Sequence, residues 1–117
     1  MLRYNMAHRR VGRMSFPHTA RSGVPVVAFA ATRWGTLLVG HSEWMGPVPC
    51  AVDCYHYCLA EPAVSIVLTA PSSTEQLRAN LATLDGENVL PESVAQWDSY
   101  GDLIHAGGRG SFDTLWS

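Results

Sequence analysis

From Val24 to Ala31 the chain runs eight residues without one polar side chain (VPVVAFAA). That run is far short of the roughly 20 apolar residues a membrane helix needs, and its valines favour extended backbone. It reads as a strand covered on both faces, the pattern of a parallel sheet. Pro25 lacks a backbone donor, so the regular strand is expected to begin at Val26. A second run, Val64 to Thr69 (VSIVLT), is rich in β-branched residues and predicts another strand. Leu2 to Asn5 reads as the tail of an earlier one.

Helical patterns alternate with these runs. Ala7 to Phe16 predicts a weak helix interrupted by Gly12. Thr32 to Pro49 predicts a long loop, broken by Gly35, Gly40, Gly46, Pro47 and Pro49. From Cys50 to Ala60, residues Ala51, Cys54, Tyr55, Cys58 and Leu59 fall on one helical face, and Pro62 ends the helix. Ser73 to Leu84 has a stripe of Leu77, Leu81 and Leu84, with capping-box spacing at Ser73/Gln76 and at Ser72/Glu75. A last helix is expected from Pro91 to about His105, Pro91 suiting a first turn. Residues 1–106 then form one α/β unit, and 107–117 a loose tail. Strand, helix, strand, helix implies parallel pairing through right-handed crossovers. So few parallel strands cannot close a barrel, and their open edges call for a partner. A start at Met1 inside strand sequence reads as a cut.

The 117 residues are 47% hydrophobic and 15% charged, which argues against intrinsic disorder. Net charge is −2 but uneven: six arginines precede the first acid, Glu43. That basic start fits a mitochondrial targeting segment, a nucleic-acid patch or an ordinary exposed helix. The chain contains no lysine, so lysine-dependent chemistry within it is excluded. Three cysteines without a secretory signal predict reduced thiols and a cytoplasmic setting. Cys50 and Cys58 on one helix would lie about 12 Å apart along its axis, too far to share one zinc. They are expected to be small core residues. A hydrolytic set of a serine with His105 and Asp102 has no nucleophile elbow to support it.

Two stretches carry site signals. In the first, Val64–Thr69 passes through Ala70-Pro71-Ser72-Ser73 into a helix. A helix start offers unpaired N–H groups and a partial positive charge, and small residues let an anion approach. Ordinary N-capping by Ser72 or Ser73 explains the same residues. The second is Phe29-Ala30-Ala31-Thr32-Arg33-Trp34-Gly35, at the carboxyl end of a strand, where α/β folds bind ligands. Phe29 suits stacking on a flat ring, and Thr32 and Arg33 suit phosphate. Alternatively Phe29 and Trp34 are core and Arg33 a surface charge.

The order Arg3-Tyr4-Asn5-x-Ala7-His8-Arg9, VVAFAATRWGTLL from Val26, VSIVLTAPSSTEQLRANLATL from Val64 and Tyr100-Gly101-Asp102 resembles the last third of an aldo-keto reductase. The resemblance runs from Met1 to about His105. It implies part of a TIM barrel, from the end of strand six to strand eight with the following helices, in an oxidoreductase that reduces carbonyls with NADPH. It assigns Phe29 to stacking on nicotinamide. Ala30, Thr32, Arg33 and Gly35 would lie along the pyrophosphate. Ala70, Ser72, Ser73, Gln76 and Asn80 would hold the adenosine end and its 2′-phosphate. Met1 stands where many members have glutamine, Ala70 where bacterial members often have glycine, and Ser72 where a basic residue is common. The resemblance therefore implies NADP(H), with NAD(H) as the alternative. The family's catalytic tyrosine, lysine, aspartate and histidine belong to strands two to four, which have no counterpart here. It implies no nucleic-acid or membrane partner. It leaves two functions: the cofactor-binding portion of a reductase, or a non-catalytic module that pairs through its open strand edges with the missing barrel half or a second chain.

Overall fold

The computed structural model describes residues 1–86 and 91–107. Three short strands form one sheet: β1 (Leu2–Arg3), β2 (Val26–Phe29) and β3 (Val64–Val67). All pairs are parallel and the order is β1-β2-β3, with Leu2 opposite Ala28 and Val26 opposite Val64. The helices are α1 (Arg10–Ser22), α2 (Ala51–Leu59), α3 (Thr74–Leu81) and α4 (Pro91–Gly107). The expected open α/β arrangement is what the chain adopts. The tail expected beyond Gly107 lies outside the described residues. Among the described residues no helix is long and apolar enough to cross a membrane.

Local rules account for most boundaries. Strand β2 starts at Val26, directly after the donor-less Pro25. It stops at Phe29 rather than Ala31, because Ala30 turns into the left-handed region at φ 57°. Helix α1 departs from expectation. It begins at Arg10 and continues through Gly12 and Pro17 to Ser22. Gly12 does not interrupt it, because the missing side chain makes room: a Cβ there would sit 2.6 Å from the Phe16 ring. Pro17 removes one internal hydrogen bond, but it faces water. Thr19 and Ser22 hydroxyls add bonds to the Phe16 and His18 carbonyls, at 3.1 and 2.9 Å.

The core lies where β1, β2, α1, α2 and α4 meet. Tyr4 packs edge-on against Phe16 and stacks on Tyr57, with centroids 5.0 and 5.9 Å away. The buried face of α2 is Cys54, Tyr57 and Cys58, rotated from the expected stripe, and Leu59 is exposed. Cys54 and Cys58 are core residues as expected, while Cys50 is exposed at the start of α2, where its N–H donates to Asp53 at 2.8 Å. Helix α4 docks on the segment leaving β1. A Cβ at Gly101 would stand 1.9 Å from the Met6 carbonyl oxygen, so only glycine permits this approach. Tyr100, fully buried, donates to the Leu37 carbonyl at 2.8 Å. Arg9 donates to the Met6 and Asp98 carbonyls at 2.9 and 2.8 Å and pairs with the Asp98 and Asp102 carboxylates. Tyr57 donates to the same Asp98 carboxylate.

The far side of the sheet differs. Only Val64 of β3 is buried, and no residue of α3 is. The stripe of Leu77, Leu81 and Leu84 is exposed. With Tyr55, Ile66 and Val67 it lines an open groove of about 330 Å³.

Candidate functional site

A parallel sheet puts the carboxyl ends of all its strands on one edge. Three connections leave that edge here, one from each strand.

The exit from β1 is a tight turn around Asn5, which is fully buried. Its Oδ1 accepts from the backbone N–H of Ala7 and His8, at 2.9 and 2.8 Å. Its Nδ2 donates to the carbonyl of Ala30, at 2.8 Å, and so joins the first exit to the second.

The exit from β2 is the turn Ala30–Gly35. Three non-glycine residues in it have positive φ: Ala30 at 57°, Arg33 at 50° and Trp34 at 54°. Gly35 follows at 85°. Each left-handed non-glycine residue costs roughly 1–3 kcal/mol and persists only where its surroundings hold it. The Ala30 carbonyl also accepts from Arg33 N–H at 2.9 Å, and Gly35 N–H donates to Thr32 at 3.1 Å. Arg33 is not a surface charge: it is buried, and its guanidinium donates to Thr36 Oγ1 at 3.2 Å. Trp34 is half exposed, with the Arg3 guanidinium 5.0 Å above its ring.

The exit from β3 leads to the start of α3. Leu68 N–H still bonds Ala28, at 2.9 Å, which holds the segment beside β2. Ser73 caps the helix, its side chain accepting from Gln76 N–H at 3.1 Å. Gln76 Oε1 reaches back to the N–H and hydroxyl of Ser72, at 2.8 and 2.9 Å. The Ser73/Gln76 spacing thus works as a cap, with Ser72 as the reciprocal donor. Asn80, one turn on, donates to Thr69 Oγ1 at 2.6 Å, and the Tyr55 hydroxyl bonds the same oxygen at 2.8 Å.

The sequence-derived residues therefore fall in two groups. Phe29, Ala30, Thr32, Arg33 and Gly35 share the β2 exit. Ala70, Ser72, Ser73, Gln76 and Asn80 share the β3 exit and the first turns of α3. The two groups leave neighbouring strands at the same edge. The tip of α3, from Ser72 to Gln76, is open to solvent. Pattern reading missed Asn5, Thr69 and Tyr55. Their roles rest on contacts between distant segments, and the one local signal was an asparagine directly after a strand, a residue type that bonds the backbone two or three positions on.

Tyr4, which follows β1, is not set up as a proton donor. Burial, opposed by a hydrogen bond from Tyr57, pushes the Tyr4 phenol up to about 12. Asp102 is engaged by Arg9, and the His105 ring lies 5.8 Å from that of His8. Among the described residues no group of histidine, cysteine, aspartate and glutamate is placed to hold a metal ion.

Comparison with solved structures identifies the fold. An aldo-keto reductase from Bacillus halodurans, in its holo form, matches with a TM-score of 0.67 over 84% of this chain, at 22% identity. The apo form of that protein matches at the same TM-score and identity. The chain spans about two fifths of the length of those structures: 40% of the holo form and 41% of the apo form. No protein-family model matches the sequence, and no curated protein does. The three strands and their helices thus match part of the fold of that aldo-keto reductase.

Proposed function

We propose that this chain is the cofactor-holding portion of an oxidoreductase of the aldo-keto reductase type, with a nicotinamide dinucleotide lying across the carboxyl edge of the sheet. One observation carries the reading: a turn strained at three non-glycine residues stands beside an open, serine-lined helix start on adjacent parallel strands. Such strain concentrates at binding sites, and a helix start favours phosphate.

The fit is uneven along the edge. At the α3 tip the helix start suits the phosphate at the adenosine end, where the Ser72 N–H and hydroxyl, held by Gln76 Oε1, would turn to it. No basic residue stands at position 72, and Glu75 occupies the first turn. Discrimination of NADP(H) from NAD(H) is therefore weak. In the Ala30–Gly35 turn the Arg33 guanidinium is turned inward onto Thr36. That turn acts by shape, with Phe29 at its base as the ring surface for nicotinamide. A bound nicotinamide dinucleotide would supply hydride chemistry, and the residues here would hold and orient it.

Acid–base chemistry comes from elsewhere. The chain has no lysine to activate a tyrosine, and Tyr4 is a weaker acid than usual. The open edges of the sheet receive the remaining barrel strands. Titrating the chain with NADPH and NADH, followed by tryptophan fluorescence, tests the reading. Saturable binding of both, without carbonyl reduction, is expected; no binding of either sinks it.

The exposed Ile66, Leu77, Leu81 and Leu84 favour a second reading, a non-catalytic module that associates through this face. A monodisperse oligomer on sizing, with no nucleotide binding, would select it.

A further inference from the structure

We infer that Asn5 is a positioning residue, which holds the Ala30–Gly35 turn in the shape that takes the dinucleotide. The inference rests on the proposed cofactor reading.

Asn5 is fully buried and its side chain is committed at both ends. The accepted bonds from Ala7 and His8 fix the amide plane. With the plane fixed, Nδ2 is aimed at the Ala30 carbonyl, 2.8 Å away and twenty-five residues on in sequence. That carbonyl is the hinge of the turn. It belongs to the first left-handed residue, and it also receives the Arg33 N–H that closes the turn. Alanine has no intrinsic reason to sit at φ 57°; without a second anchor it relaxes to the ordinary region. The carbonyl then swings away, and the Arg33 bond goes with it. Arg33, Trp34 and Gly35 follow, since their left-handed angles are set in sequence from that point. Asn5 touches no part of the α3 tip, so its influence is confined to one end of the proposed cofactor.

Two probes separate the ends: NADPH, which engages both groups, and adenosine 2′,5′-bisphosphate, which engages the α3 tip alone. Asn5→Ala is expected to weaken NADPH binding by about tenfold, the factor carried by one lost hydrogen bond of ordinary strength. Binding of the bisphosphate is expected to stay within about twofold. In an Ala30→Gly background, where the left-handed angle needs no anchor, the same substitution is expected to matter little, a non-additivity that a merely structural residue would not give. Asn5→Asp keeps both accepted bonds and replaces the donor to Ala30 with a carboxylate oxygen that the Ala30 carbonyl repels, so it reads the same contrast, more strongly, should Asn5→Ala fail to fold. Faster amide exchange at Arg33, with α2 amides unchanged, is the ligand-free signature. Equal weakening of both probes, or no change in either, overturns the role given to Asn5 and leaves the cofactor reading standing. Failure of the unsubstituted chain to bind either probe overturns the cofactor reading, and this inference with it.

Discussion

The two sides of the sheet are built to different standards. Among the described residues fifteen hydrophobic residues are buried, most of them on the side of β1, β2, α2 and α4, where even polar Asn5, His8 and Arg33 are enclosed. Around α3 the leucines Leu77, Leu81 and Leu84 stand 42%, 51% and 77% exposed. Composition does not separate the two regions; partners do. The first region is covered by its own chain, with α4 brought down across the exits of β1 and β2. The second leaves the same kind of apolar stripe half covered along an open groove, and the outer edge of β3 is without a described strand. Part of this fold is self-sufficient, and part has surface suited to being covered.

Alkaline titration gives the largest expected break between the regions. Burial, with Asp53 and Cys50 adding to it, pushes the Cys54 thiol from 9.0 up to about 12. Tyr4 is likewise raised to about 12, and burial pushes up Cys58 and Tyr57 as well. Each of these groups keeps its proton in the folded state at a pH where the unfolded chain has lost it. Stability is therefore complete below about pH 9 and falls as pH rises toward 12. All four groups belong to the enclosed side. The urea midpoint should drop steeply between about pH 9 and pH 12; an unchanged midpoint would mean that this side is not sealed.

Gly101→Ala should come next. A methyl group 1.9 Å from the Met6 oxygen cannot be accommodated without moving α4. A loss of about 3 kcal/mol, at the upper end of overpacking effects, is expected from urea denaturation. A loss below about 1 kcal/mol would show that α4 is not anchored there. Ser73→Ala removes the cap of α3 and should cost about 1 kcal/mol. Because α3 buries nothing, the change should show as faster amide exchange in α3, with the global midpoint nearly unmoved. Leu84→Gln should be the mildest, within about 0.5 kcal/mol, as for an ordinary surface site. A clear destabilisation would mean that Leu84 is covered in solution, which would turn the comparison around.

How much of this could be read from the sequence follows the same division. Boundaries set by local chemistry were legible: Pro25 before β2, Ser73 capping α3, Pro91 opening α4. The resemblance implied part of a barrel, and the three parallel strands match part of such a fold. What could not be read depends on segments far apart in the chain. The helical pattern of Leu77, Leu81 and Leu84 is real, but periodicity states which face is apolar, not whether anything lies against it. The left-handed Ala30, Arg33 and Trp34 contradict their own local preference. Arg33 was open to reading as a surface charge because burial of a guanidinium is decided by Thr36 and the fold around it.

The exclusively parallel sheet also determines how the chain must assemble. Leu2 meets Ala28 and Val26 meets Val64, so each pairing waits for an intervening helix to form and fold back. Among the described residues no hairpin is available to seed the structure, and every strand contact there closes a long loop before it is rewarded. Slow refolding follows, with valine-rich segments uncovered for much of the search. Those segments set the hazard of aggregation during synthesis.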